Sequence, residues 1–179
     1  RQPFAAAAPI RGAFGMNEKS SPLRETDEAA IRLAKTLLGD AGFAALAVNE
    51  PETGFPLASR VLIATDTDGA PVILISALSS HTRAIQRDGR VSLLTGEPGK
   101  GDPMAHPRMT TRCLAGVIER GSDDHARMRA RFLERHPKAK TYIDFPDFNL
   151  FRLSPVSANL NGGFGKAYAI EGKDLIGPG

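Results

Sequence analysis

At 179 residues, 41% apolar and 24% charged, the chain has the make-up of one ordinary globular domain, not of a disordered or fibrous protein. Its net charge of +3 comes from 23 Lys and Arg against 20 Asp and Glu, too small and too mixed an excess for a nucleic-acid-binding stripe. The single cysteine, Cys113, excludes an internal disulfide and a cysteine-built metal site, and no apolar run reaches the roughly 18 residues that span a bilayer, so the expectation is a cytoplasmic protein with neither membrane nor nucleic-acid partners.

Residues 1–25 lack hydrophobic periodicity, carry Pro3, Pro9, Gly12, Gly15 and Pro22, and read as a flexible or extended arm before a domain over 26–170, with 171–179 as a tail. At Thr26 the pattern turns helical. Thr26 is placed to cap, Asp27 and Glu28 suit the positive end, Ile31, Ala34, Leu37 and Leu38 share a face, and Gly39 or Gly42 stops the helix. Three strand-like runs follow at 43–48, 57–64 and 72–76, separated by Pro51-Glu52-Thr53-Gly54 and Asp66-Thr67-Asp68-Gly69, which predicts an antiparallel meander. A short helix fits 81–87, with Ser79 and Ser80 as candidate caps, and a strand fits 90–94. Residues 96–107 read as loop, 109–118 as a long strand, 123–135 as a charged amphipathic helix and 148–153 as the last substantial strand, with 158–160 extending the sheet. Antiparallel strands with helices at the margins predict a mainly β fold, a small closed barrel, because closure removes sheet edges. A parallel dinucleotide-binding sheet is disfavoured, since strands and helices do not alternate and no glycine-rich strand-to-helix turn is present.

Two features stand out chemically. Arg60 interrupts the apolar run 57–64, where a guanidinium needs a carboxylate, an outward position or a bound anion. Ser76-Ala77-Leu78-Ser79-Ser80-His81-Thr82-Arg83 runs from a strand end through small hydroxyl residues into a helix start, where free N–H groups and the helix dipole favour a phosphate. In an antiparallel hairpin the two can converge. Cys113 reads as core, and the four histidines are scattered without metal-ligand spacing, so no metal site is expected.

Over about residues 27–168 these segments resemble the pyridoxamine 5'-phosphate oxidase-like FMN-binding split barrels, and within them the HugZ-type haem-utilisation branch. The matching pieces are Ser59-Arg60-Val61-Leu62-Ile63-Ala64, Leu74-Ile75-Ser76-Ala77-Leu78-Ser79-Ser80-His81-Thr82, Asp88-Gly89-Arg90-Val91-Ser92-Leu93-Leu94, Gly101-Asp102-Pro103, Pro107-Arg108-Met109-Thr110 and Asn161-Gly162-Gly163-Phe164-Gly165-Lys166-Ala167. The resemblance implies an antiparallel Greek-key split barrel with flanking helices that dimerises to complete its FMN sites. Arg60, flanked by Ser59 and Val61, would hold the FMN phosphate, with Ser80, His81 and Thr82 closing around it. Ser76 would lie along the ribityl chain or ring edge, and the second protomer would supply Arg108, Phe164 and Lys166. At the helix start the oxidases resemble Ser-Arg-Lys where this chain has Ser80-His81-Thr82.

The function so implied is an FMN-binding oxidoreductase acting on an unknown small molecule, with no assigned catalytic side chain, because the flavin carries the redox chemistry. The alternatives are a haem-binding or haem-utilisation protein and a non-catalytic dimeric flavin binder. In the HugZ-type branch the iron-ligating histidine lies in a C-terminal module that the sequence up to Gly179 does not contain. His106, His125 and His136 are then the substitutes, and the expectation is weak haem binding and little pyridoxamine 5'-phosphate oxidase or haem oxygenase turnover.

Overall fold

The computed structural model describes residues 23–177; most of the expected N-terminal arm (1–22) and residues 178–179 lie outside the described residues. In chain order the elements are β1 (Leu23–Arg24), α1 (Glu28–Gly39), β2 (Phe43–Asn49), β3 (Pro56–Thr65), β4 (Pro71–Ser76), α2 (Ser80–Arg87), β5 (Arg90–Thr95), β6 (Arg108–Val117), α3 (Asp123–Arg135), β7 (Phe148–Asn161), β8 (Ala167–Glu171) and α4 (Gly172–Leu175). Short 3₁₀ turns occupy Pro103–Ala105 and Pro137–Thr141.

The expected meander forms β2, β3 and β4, and β5 returns to lie beside β2, which is the Greek-key connection. Closure comes from β7, which pairs with β4 along one edge and with β6 along the other, making a six-stranded antiparallel barrel. Strand β7 is longer than the expected 148–153. Pro155, which lacks an N–H, suggests a break, but the register between β6 and β7 shifts there and leaves Val156 unpaired, so the strand passes through a bulge and continues to Asn161. The hairpin partner β8 and the parallel β1 extend the sheet beyond the barrel.

Alternation along the strands fills the barrel with Leu46, Val48, Val61, Ile63, Ile73, Val91, Leu93, Cys113 and Leu153, and α2 adds Ala84 and Ile85 to the same core. Helix α3 covers the outside of β3, β4 and β7 by setting Met128 and Phe132 against Ala64, Val72, Leu74 and Leu150. Helix α1 packs Ala30, Ala34 and Leu38 against Met109, Leu160, Ile170 and Leu175. Its cap is Asp27, whose carboxylate accepts from the Ala30 N–H at 2.7 Å, while Thr26, the expected cap, donates its hydroxyl to the Ala169 carbonyl. The outward sides of β2, β3, β5 and β6 stay open, with Leu62, Leu94 and Leu114 exposed there and Val156 of the bulge beside them. Among the described residues no helix is long and apolar enough to cross a membrane.

The β3–β4 turn is pinned by charge. Asp66, 5% exposed, accepts from Arg127 of α3 and from Arg152 of β7, and Arg152 also pairs with Asp68. Burial alone would raise the Asp66 pKa, but hydrogen bonds from Arg127 and the Thr67 N–H and the charges of Arg127 and Arg152 outweigh it and hold the carboxyl below its ordinary 3.8. The contribution to stability is therefore complete above about pH 4 and fades as pH falls through the folded value. Asp66→Asn is expected to cost about 2 kcal/mol at pH 7, read as a fall of about 4–8 °C in melting temperature, with the gap to wild type closing in acid.

Candidate functional site

Strand β3 turns Val61 and Ile63 into the core and leaves Arg60 and Leu62 outside. Arg60 lies opposite Ala45 of β2, and its guanidinium sits 5.3 Å from the centroid of the Phe43 ring, a cation–π contact in place of a carboxylate partner. It lines a cleft of about 360 Å³ with Phe43, Ala45, Ala58, Leu94 and Glu97. Of its neighbours in sequence, Ser59 is half-buried and Val61 is a core side chain, which leaves Val61 only its backbone to offer a ligand.

The junction of β4 and α2 is built around Ser76. Its carbonyl accepts from the Ser79 N–H and from the hydroxyls of Ser79 and Thr82, both at 2.7 Å. Its own hydroxyl donates to Asp147 at 2.7 Å and accepts from the Leu78 N–H. The Ala77 N–H donates to the Asp147 carbonyl, which ties the segment ahead of β7 to the junction. Ser76 and the buried Thr82 are thus spent on holding the turn. Ser79 occupies the cap position of α2, yet its hydroxyl points back to Ser76 and caps nothing, which leaves the first-turn N–H groups without a side-chain acceptor. Ser80 is exposed and accepts from Arg83, which also donates to the Leu78 carbonyl. Arg83 was not singled out in the sequence; the usable signal was its spacing of three from Ser80 on a helix, and it brings to the helix start a charge that Ser80, His81 and Thr82 do not. His81 is half-buried, and burial pushes its imidazole below its ordinary 6.5, so the ring is neutral at pH 7.

Arg60 and the helix start do not share one cradle within a single chain. The β3–β4 ladder ends at Ile63–Ile73; the same register, continued, would set Arg60 level with Ser76, but the Arg60 cleft contains none of Ser80, His81 and Thr82. Arg108 donates to the carbonyls of Met104 and His106 and so fastens the 96–107 loop. At the base of that loop Gly96 has φ +98°, and an added Cβ would lie 2.4 Å from the Pro107 carbonyl oxygen, so only glycine lets the two ends approach. Phe164 and Lys166 are exposed in the β7–β8 turn, where the Lys166 N–H donates to the Gly163 carbonyl. Strands β2 and β5 stand between β3 and β6, which separates Arg108 from Arg60.

The remaining candidates have other employment. His106 Nε2 bonds the Lys100 carbonyl at 3.0 Å, and His136 Nε2 bonds the Ile63 carbonyl at 2.8 Å while its ring packs on Phe132. His125 is buried on α3, where burial and the charges of Arg120 and Arg129 disfavour its protonation. Burial pushes the Cys113 thiol up to about 12, which makes it a core side chain and no nucleophile. Among the described residues no group of three His, Cys, Asp or Glu side chains is placed to hold a metal ion.

A closed six-stranded Greek-key barrel whose third and fourth strands part beside a hydroxyl-rich helix start defines a split-barrel fold. Within it, residues 25–176 match the CREG β-barrel family, and the chain belongs to that family. It is similar to the haem oxygenase HutZ of Vibrio cholerae, with 31% identity over 107 residues that cover 58% of this chain and 61% of HutZ. It is also similar to a non-canonical chloroplastic haem oxygenase, HOZ, of Arabidopsis thaliana, with 29% identity over 120 residues that cover 67% of this chain and 36% of HOZ. The alignments therefore span between about a third and under two thirds of these relatives. Among solved structures, a haem-binding protein from Mycobacterium smegmatis is 30% identical with a TM-score of 0.76, covering 84% of this chain and 61% of that one. The likeness to the pyridoxamine oxidase group is one of fold: a structure of that group from Clostridium acetobutylicum is 12% identical with a TM-score of 0.63, covering 82% of this chain and 96% of that one.

Proposed function

We propose that the protein binds haem, and does so as a homodimer, with the macrocycle seated at the β4–α2 junction. The observation that carries this is an apolar lip beside a guanidinium and a half-buried imidazole. Leu78 is 78% exposed and Phe145 52% exposed, on the two segments that Ser76, Ala77 and Asp147 bind together; His81 follows Leu78 by three residues and Arg83 donates to the Leu78 carbonyl. Large exposed apolar side chains in one place signal a ligand or partner, and a cation beside them suits a flat apolar dianion such as haem with its carboxylates. The haem oxygenase relatives and the haem-binding structure point to the same ligand. Haem titrated into the purified protein is expected to saturate at one equivalent per chain with a defined Soret band; a featureless, non-saturating rise would refute the reading.

A second reading keeps FMN, as the resemblance implies, because Arg60 stacks on the Phe43 ring in its cleft and forms no ion pair with the Glu97 that also lines it. The first-turn N–H groups of Ser80, His81 and Thr82, with Arg108, Phe164 and Lys166 of the second protomer, would complete that site. On this reading Arg60→Ala weakens FMN by roughly 3 kcal/mol, a hundredfold or more in dissociation constant, and riboflavin binds correspondingly worse than FMN. Equal affinities for FMN and riboflavin would remove the phosphate site.

Both readings need a partner over the open face of β2, β3, β5 and β6, where Leu62, Leu94, Leu114 and Val156 remain exposed. Light scattering should give twice the chain mass of 19.1 kDa, and Leu94→Asp with Leu114→Asp should return the monomer.

A further inference from the structure

We infer that a cleft on the open face of the barrel, between Arg112 of β6 and the bulge of β7, is a second ligand site that takes a small monocarboxylate with an apolar body. The cleft holds about 460 Å³ across β2, β5, β6 and the bulge, within the range of small-molecule sites. It shares no lining residue with the Arg60 cleft and has none from the β4–α2 junction, so it goes beyond both readings above. The bulge builds it. In the β6–β7 ladder Arg112 lies opposite Ser157 and Cys113 opposite Pro155, so Val156 is the extra residue and stands out beside Arg112. Val156, 54% exposed, and Leu114, 52% exposed, make apolar walls with Ala47 and Pro56. Arg90 and Arg112 line the same space, and no acidic residue does. The Nε–Nη2 edge of Arg90 is taken by the Asp88 carboxylate in a bidentate pair. The same edge of Arg112 is unoccupied. Among the described residues Arg112 forms no ion pair, and its hydrogen bonds both come from Nη1 and run to neutral oxygens, Ser157 Oγ at 3.3 Å and Asn159 Oδ1 at 3.5 Å. Two parallel N–H groups on a planar fork match a carboxylate. One uncompensated positive charge selects a monoanion over a dianionic phosphate, whose second charge would stay unmatched, and the walls select an alkyl or aryl body over a bare anion. The second copy proposed to cover this face would roof the cleft and enclose a bound acid between the subunits.

The test is calorimetric titration of the full chain with octanoate and benzoate, an alkyl and an aryl carboxylate, with octanol and inorganic phosphate as uncharged and dianionic controls. At least one of the two carboxylates should saturate at one equivalent per chain and bind tenfold or more tightly than either control. Arg112→Gln should weaken it about 10- to 100-fold, the range for losing charge-assisted hydrogen bonds, and Val156→Asp should do the same by repulsion, both at the wild-type melting temperature. Arg32→Gln, which removes an exposed guanidinium on α1, should bind as wild type does. If neither carboxylate saturates wild type, or if Arg112→Gln binds it unchanged, the site falls, while the haem and dimer readings stand on their own titration and light scattering. A monomeric chain that binds octanoate through Arg112 would keep the site and remove the dimer.

Discussion

Strand β7 holds two edges of the sheet at once. A barrel of six strands closes only if some strand has both ladders occupied across the seam, and here β7 gives β4 its first half and β6 nearly its whole length. The register shift at Arg112/Cys113 makes this possible, because the extra residue at Val156 increases the local twist and lets one strand leave the barrel and go on to pair with β8. The helices take their places from that closure. Helix α3 lies over the seam formed by β3, β4 and β7, and α1 sits against the part of β7 beyond the bulge. The sides that no helix reaches are the ones proposed to meet a second copy.

The same closure prepares the β4–α2 junction. Asp147 immediately precedes β7 and reaches back across 71 residues to Ser76, so closing the barrel also fixes the turn from β4 into α2. That turn is satisfied from within, through the Ser76 carbonyl and hydroxyl, and leaves outward only groups with no structural employment: the first-turn N–H groups, His81 and the apolar Leu78. A ligand arriving there meets a preformed surface, and little ordering free energy is lost on binding.

Much of the barrel was legible in the sequence because its signals are local. The turns 51–54 and 66–69 delimit the meander, and the switch from period two to period 3.6 after Ser79 announces α2. What escaped was long-range or depended on one residue's competition with its neighbour. Pro155 argues against a strand interior unless a bulge is known in advance, and nothing near Asp147 in sequence identifies Ser76 as its partner. Thr26 and Asp27 are equally good caps on paper, and the choice between them was made by the Ala169 carbonyl, which claims the Thr26 hydroxyl. Arg60 asks for an explanation in the sequence, but its place over the Phe43 ring does not follow from strand periodicity.

The packing of α1 against α4 bears on how the chain folds. Ala34 and Leu38 near its start lie in one apolar cluster with Ile170 and Leu175, and the Gly177 N–H donates to the Asp68 carbonyl at the β3–β4 turn. Those contacts bridge well over a hundred residues, the non-local kind that slows two-state folding. On the ribosome, α1 emerges long before β7, β8 and α4, so its apolar face stays open until those elements have been made. During that interval the nascent chain has an unshielded amphipathic helix, the stage at which it would rely most on chaperones.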